Sequence, residues 1–327
     1  MQWFGVVWSR LAAIAGLENR PTGRRGCLYC GLLLMLCVAP PLRAEPVTVV
    51  ASVEPLAMLL REVFAGAGLT DEQVRVSTLM LPSQTPHHSA LTPSQLRLAQ
   101  QASLLIWVGA AAEPALARLL ARRSGATLAM LSLDGIIRRQ SAGDDGPHHD
   151  SDHDAIDGGL DPHLWLAPDN MLLLAQALPA QAEILGLPAA QLEQGVNRFA
   201  DTLTRRRAEI DNSLKPLRDR RFLSQHDAWG YFTDAFHLTP GLAASQQLEL
   251  SPGSQRFIEL IATVERQDIQ CVLAEPEARW ALLMRVCRGQ CRIIEADPLG
   301  RHITHSHYSD FLVEMGFRFQ ACLSADQ

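Results

Sequence analysis

Lysine is nearly absent from this 327-residue chain: Lys215 stands alone against eleven histidines. The formal net charge is −6, and it becomes more negative once residues 1–44 are set aside, because Arg10, Arg20, Arg24, Arg25 and Arg43 leave with only Glu18. A chain whose acidic residues outnumber its basic ones in this way offers little basic face for phosphates, which argues against nucleic acid as a partner. Long apolar runs are missing too. The strongest, Cys27–Val38, has about a dozen residues where a spanning helix needs roughly 20. Neither HExxH nor GxSxG occurs, so the helix of a zinc protease and the nucleophile elbow of a hydrolase are both lacking. No internal repeat is visible.

What is present fits a globular protein, with 47% hydrophobic and 20% charged residues, and the length predicts two domains of roughly 150 residues each. The apolar run follows Arg20, Arg24 and Arg25 and precedes Pro40, Pro41 and Ala44. That layout predicts a secretory signal over residues 1–44, cleaved near Ala44, an exported protein, and no integral membrane segment after cleavage. Three cysteines leave with the signal. Cys271, Cys287, Cys291 and Cys322 remain, an even count that suits one or two disulfides in an oxidising compartment but leaves three pairings open.

Apolar runs rich in β-branched residues alternate with helix-period stretches through the mature chain, which predicts an α/β fold with parallel sheets. Strands are expected at Val47–Val53, Val74–Met80, Leu104–Val108 and Leu128–Leu133, then near Phe222–Gln225, Gly241–Ala244, Cys271–Ala274 and Arg292–Ala296. Helices are expected at Pro55–Phe64, Pro93–Gln101, Ser254–Arg266, Arg279–Cys287 and Tyr308–Cys322. Between the halves, Leu192, Val196, Phe199, Leu203 and Ile210 recur at helical spacing, so residues 188–217 read as one long linker helix. Its Arg205, Arg206, Arg207 and Glu209 read as a solvated face. The division is an N-terminal lobe at 45–187, the linker helix at 188–217 and a C-terminal lobe at 218–327. Residues 143–159 break the rhythm. His148, His149 and His153 sit there among Asp144, Asp145, Asp150, Asp152 and Asp154, a polar loop read either as a solvated linker or as a weak, exchangeable metal collector.

Ligands of open α/β sheets bind beyond the carboxyl ends of the strands, and three histidines fall in such places. His87 follows the second strand, His163 sits in DPHLWLAP, and His226 closes FLSQH. Asp297, at the end of RIIEA, is the fourth candidate. Each histidine alone is more simply a surface or hydrogen-bonding residue. Pro162 restricts the backbone before His163, and Asp169 reads as the N-cap of the next helix. Glu275 in LAEPE ends a strand beside the same cleft and reads as a residue that holds a ligand rather than as a ligand. Trp165, Trp229 and Tyr231 read as packing that orients these loops. His302, His305 and His307 read as an exposed loop, with a second metal position as the alternative.

Taken in order and spacing, LPSQTPHHSALTPSQ, DPHLWLAP, HDAWGYF, LAEPE and EADPLG resemble the metal-binding solute-binding proteins of bacterial ABC importers, and among these the zinc-uptake, ZnuA-type periplasmic branch. The resemblance covers Val47 to Leu323, and DPHLWLAP with HDAWGYF is its most specific part. It implies two Rossmann-like lobes joined by a long rigid helix, with a metal site in the cleft between them. By position it implies His87, rather than His88, with His163 and His226 as ligands, and Asp297 or a water in the fourth place. His88-Ser89 departs from the commonest pattern, as do Cys287 and Cys291. The resemblance also implies a Cys271–Cys322 disulfide, which by the loop-entropy model contributes roughly 4 kcal/mol, while Cys287 and Cys291 either bridge or stay reduced.

Three imidazoles and one carboxylate suit four-coordinate zinc. Manganese asks for more oxygen, and the manganese and iron branches of the family usually carry Glu where this chain has His226. The function implied is capture of Zn2+ in the periplasm by a non-enzymatic, monomeric protein and its delivery to an ABC permease driven by an ATPase. The alternatives are a manganese or iron importer component, a periplasmic zinc buffer, and a His-ligated zinc hydrolase using Asp297 as base. A rigid inter-lobe helix implies local loop rearrangement on binding rather than wide hinge opening.

Overall fold

The computed structural model describes residues 45–81, 84, 91–140, 159–245, 253–301 and 307–324. The expected signal at 1–44 and the His/Asp-rich segment, apart from Gly159, lie outside these residues. The first half runs β1 (Val47–Ala51), α1 (Glu54–Gly66), β2 (Val74–Thr78), α2 (Pro93–Gln101), β3 (Leu104–Trp107), α3 (Pro114–Leu120) and β4 (Ala126–Ala129). Then come α4 (Pro168–Gln176), α5 (Ala182–Leu185) and the long α6 (Ala189–Leu214). The second half runs β5 (Leu223–Ser224), α7 (Gly230–Ala235), β6 (Leu242–Ala243), α8 (Ser254–Arg266), β7 (Cys271–Ala274), α9 (Trp280–Val286), β8 (Arg292–Glu295) and α10 (Tyr308–Leu323).

The two halves share a topology although they share no repeat in sequence. Each forms a four-stranded, wholly parallel sheet, in the order β2-β1-β3-β4 and β6-β5-β7-β8. The order reverses between β1 and β3 in one sheet and between β5 and β7 in the other, the switch points where such sheets open a crevice. Alternation along each strand divides the core. Val49 and Ala51 face a cluster that spans both halves, while Val50 faces a separate cluster with Leu105 and Trp107. In the second sheet Cys271 and Leu273 join the shared cluster, and Val272 and Ala274 face one with Leu260 and Leu283.

Proline sets many of the helix starts: Pro55, Pro93, Pro114 and Pro168 each lie in the first turn of a helix, where the missing N–H costs nothing. Helix α2 adds a capping box, in which the Thr92 hydroxyl accepts from the Gln95 amide at 3.3 Å and Gln95 Oε1 accepts from the Thr92 amide at 2.8 Å. Gln95 Nε2 also donates to the Leu79 carbonyl at 2.7 Å, tying α2 to the exit of β2. Helix α6 stops short of the expected Leu217, because Pro216 cannot continue its ladder and residues Lys215–Leu217 tighten into a 3-10 turn.

Three local expectations need correction. The strand expected at Leu128–Leu133 is Ala126–Ala129, and Met130–Ser132 turns instead into a 3-10 segment. Asp169 is not an N-cap: Ala167 holds that position, and Asp169 lies in the first turn of α4, paired with Arg207. The arginine face of α6 is thus more than solvated, since Arg207 reaches α4 and Arg206 approaches Asp310 of α10 at 3.6 Å. Both disulfides are present, Cys271–Cys322 and Cys287–Cys291, each with Cα atoms 5.5 Å apart.

Helix α6 packs along α1 and α10, and its approach to α1 is close because glycine faces glycine. The backbone of Gly195 meets Gly66, and a methyl group on Gly195 would overlap the carbonyl oxygen of Val63. Gly195→Ala gains about 1 kcal/mol of intrinsic helix preference but forces two backbones apart, an overpacking cost of about 1–3 kcal/mol. The expected outcome is a lowered denaturant midpoint; an unchanged or raised one contradicts this packing.

Glu113 precedes α3 and is buried at the carboxyl end of β3, where its Oε2 accepts the Val108 amide at 2.7 Å and the Gly109 amide at 3.4 Å. Burial pushes its carboxyl up to about 7, against the pull of those amides. The folded value lies above the ordinary 4.5, so the associated stability is full below pH 4.5 and is lost as pH rises through about 7, amounting to about 3 kcal/mol. Glu113→Gln keeps the acceptor and is expected to flatten unfolding stability across that window. A pH slope identical to wild type contradicts this.

Candidate metal centre

At the second switch point, β5 and β7 lie side by side with Ser224 opposite Leu273, so the residues that follow them meet. His226 comes two residues after β5 and Glu275 directly after β7. Their side chains are buried, and His226 Nδ1 lies 3.1 Å from Glu275 Oε1. A turn holds the histidine in place, with the Ser224 hydroxyl donating to the His226 carbonyl at 2.8 Å.

His163 reaches the same point from the other half. It precedes the 3-10 segment Leu164–Leu166 that leads into α4. Asp161, two residues earlier, folds back so that its Oδ1 accepts the His163 amide at 3.0 Å and faces His163 Nδ1 at 2.8 Å. Asp161 is itself buried, and Arg139 stands 3.8 Å from its other oxygen. Sequence reasoning used Asp161 only as part of the DPH triplet; an Asp two residues before a His, able to bond both its backbone and its ring, was the available signal.

Each imidazole therefore presents Nδ1 to a carboxylate and Nε2 to the other ring. The two Nε2 atoms are 3.3 Å apart, with ring centroids at 5.1 Å. A carboxylate at Nδ1 keeps the proton there and leaves a lone pair on Nε2. Two lone pairs facing each other across 3.3 Å repel unless a cation or a proton lies between them. Two Zn–N bonds of about 2.0–2.1 Å at the tetrahedral angle place their nitrogens roughly 3.3–3.4 Å apart, so the donor pair fits that ion. For His226 burial opposes the charged ring, yet the charge and hydrogen bond of Glu275, with Asp161 and Asp227 behind them, outweigh it and raise its pKa.

The aromatic residues beside the site do more than pack. Trp165 Nε1 donates to the Pro298 carbonyl at 2.7 Å, and Tyr308 Oη donates to the Trp165 carbonyl at 2.8 Å. Tyr231 Oη donates to the Asp161 carbonyl at 3.1 Å and accepts the Arg139 amide at 2.9 Å. Burial pushes that phenol up to about 12, which keeps it a neutral donor. These bonds join segments of the two halves beside the histidines, and Ser309 of α10 makes a further pair to Glu62 of α1 at 2.6 and 2.9 Å.

His87 and His88 lie outside the described residues, as do His148, His149, His153, His302 and His305. His307 occupies the N-cap position of α10 without a side-chain capping bond and sits near Glu62. Asp297, expected as a ligand with water as the alternative, lies in the loop after β8. Both of its oxygens are engaged by Arg301 and by backbone amides of its own loop. Among the described residues no group of three or more His, Cys, Asp or Glu side chains is arranged to hold a metal; what they supply is the histidine pair.

The family described as "Zinc-uptake complex component A periplasmic", ZnuA, matches residues 49–321. The chain is 29% identical over 307 residues to the high-affinity zinc uptake system protein ZnuA of Yersinia pestis, covering 88% of this chain and 95% of the relative. It is 28% identical over 325 residues to the protein of the same description from Paracoccus denitrificans, with the same coverage of 88% and 95%. A crystal structure of ZnuA has the same fold, with a TM-score of 0.71 at 22% identity, covering 86% of this chain and all of the other. With two parallel sheets, a long helix between them in the chain and a family match over residues 49–321, the chain belongs to the ZnuA family of zinc-uptake components.

Proposed function

We propose that this protein captures Zn2+ in the periplasm and delivers it to an ABC permease powered by an ATPase. The observation that carries this reading is the pair of opposed Nε2 atoms at 3.3 Å, each ring backed by a buried carboxylate. His163 and His226 hold the ion from the two lobes, and His87, which follows β2 in the chain, supplies a third imidazole. Asp161 and Glu275 orient the rings and offset the ion's charge through them. Water takes the fourth place, because Asp297 is occupied by Arg301.

The same site supports binding without catalysis. It lacks the HExxH helix of zinc proteases and the GxSxG elbow of hydrolases. In this reading residues 1–44 direct export and are removed near Ala44, residues 45–187 and 218–327 are the two lobes, and 188–217 is the helix between them. The exported protein is a monomer with no nucleic-acid partner, and no described helix is long and apolar enough to cross a membrane. His148, His149 and His153 act as an auxiliary loop that gathers zinc weakly, so deleting it slows acquisition at scarce zinc and spares the tight site.

The test is a competitive titration of the metal-freed protein with zinc and with manganese against a chromophoric chelator. Wild type is expected to hold one zinc far more tightly than manganese, and His226→Ala to weaken it greatly. Manganese preference, or tight zinc unaffected by the substitution, contradicts the reading. Glu275→Gln, which leaves every proposed ligand in place, is expected to lower zinc affinity by about 10–100-fold; an unchanged affinity removes Glu275 from the site.

A further inference from the structure

The buried carboxylate behind His163 has a cation behind it in turn. Asp161 gives its Oδ1 to the His163 amide and ring, and Arg139 Nε lies 3.8 Å from its Oδ2. That distance makes an ion pair rather than a hydrogen bond, so the arginine acts on Asp161 through charge. Backbone pairing brings the two residues together. The Arg139 carbonyl accepts the Asp161 amide at 2.9 Å, and the next pair out, Gln140 and Leu160, forms an antiparallel bridge.

Helix α7, from the other half, provides a seat for this arginine. Tyr231 Oη accepts the Arg139 amide at 2.9 Å while donating to the Asp161 carbonyl at 3.1 Å. Asp234 pairs with Arg139 Nη1. Between these two contacts the guanidinium lies on Gly230, where a methyl group would overlap its Nε, Cζ and Nη2 atoms. A planar cation fits a slot that any side chain at 230 would fill. The stretch HDAWGYF thus carries one proposed ligand, His226, and the seat for an arginine that stands behind the other.

We infer that Arg139, seated on Gly230, is a positioning residue for zinc binding: it holds the Asp161 carboxylate so that Oδ1 stays on His163 Nδ1 and the ring offers Nε2 to the metal. This rests on the zinc-capture reading above, in which His163 is a ligand. A buried anion is costly without compensating charge, and a carboxylate that loses the cation at Oδ2 has less reason to keep its present angle to the ring. Because the seat belongs to α7, the ligand of one half is oriented by a helix of the other.

The experiment compares the full exported protein as wild type, Arg139→Gln, Gly230→Ala and the double variant. Zinc affinity is read by chelator competition. In the metal-free protein, the nitrogen resonances of the His163 ring report whether Nδ1 or Nε2 carries the proton. Arg139→Gln and Gly230→Ala are each expected to weaken zinc about tenfold and to move the His163 ring away from the Nδ1-protonated form, with the His226 ring unchanged. In Gly230→Ala the atoms the methyl meets first are the end of a flexible side chain, so the guanidinium is displaced rather than the fold. The double variant is therefore expected to bind zinc as Arg139→Gln does, because the methyl has nothing left to displace. Unchanged affinity in Arg139→Gln, a loss without a change at the His163 ring, or additive losses in the double variant overturn the inference. If Arg139→Gln does not fold, Gly230→Ala alone must show both the loss and the ring change, and the absence of either is equally fatal. Wild type that fails to bind zinc refutes the zinc-capture reading instead, while the ring measurement, made without metal, still decides whether Arg139 positions His163.

Discussion

Two buried carboxylates, Asp161 and Glu275, govern how this molecule presents its histidines. An anion in the interior is costly unless it is paired, and each of these finds its nearest titratable partner in an imidazole Nδ1. That pairing fixes the tautomer and aims both Nε2 atoms at one point between the halves. The donors are thus arranged before any ion arrives, and little ordering cost remains to be met on binding. The same electrostatics draws a proton toward His226, so at the proposed site protons would compete with the metal.

The fold supplies the frame in which this pairing is geometrically required. Parallel strands β5 and β7 end together, bringing His226 to Glu275, while a backward bend at Asp161 carries its own histidine. The shared hydrophobic cluster runs from Val49 through Phe199 of α6 to Phe319 of α10, so the halves are joined by core as well as by the helix. Hydrogen bonds from Tyr231, Trp165 and Tyr308 then pin the loops. The two halves are thus braced against each other at several points by core packing and by hydrogen bonds.

Much of this was legible in the sequence, for physical reasons that differ by residue. Buried parallel strands read as apolar runs, and α2 and α8 were located to the residue, α2 because Pro93 opens it behind Thr92 and α8 because its apolar periodicity is strong. The start of β4 at Ala126 was not legible, and neither was the turn after the strand, because Leu128, Met130 and Leu131 are apolar in either conformation. His163 and His226 stood out by lying beyond strands and by the family motifs around them. Asp161 did not, since its role depends on folding back over two residues. Arg301 carried no local mark: its partners Asp297 and Glu277 lie on different loops, and an arginine in a loop reads as surface until the chain is folded. The cross-half bonds of Tyr231 and Tyr308 are likewise products of tertiary contact alone.

The most direct test of the central claim is a pair of crystal structures of the protein, with and without zinc. The account predicts His163 and His226 Nε2 atoms at about the same 3.3 Å separation in both, with Asp161 and Glu275 still on the Nδ1 atoms, zinc on both Nε2 atoms, and movement confined to loops. Rings that are parted or turned away in the metal-free protein, zinc bound elsewhere, or closure by rigid rotation of one sheet against the other would contradict it.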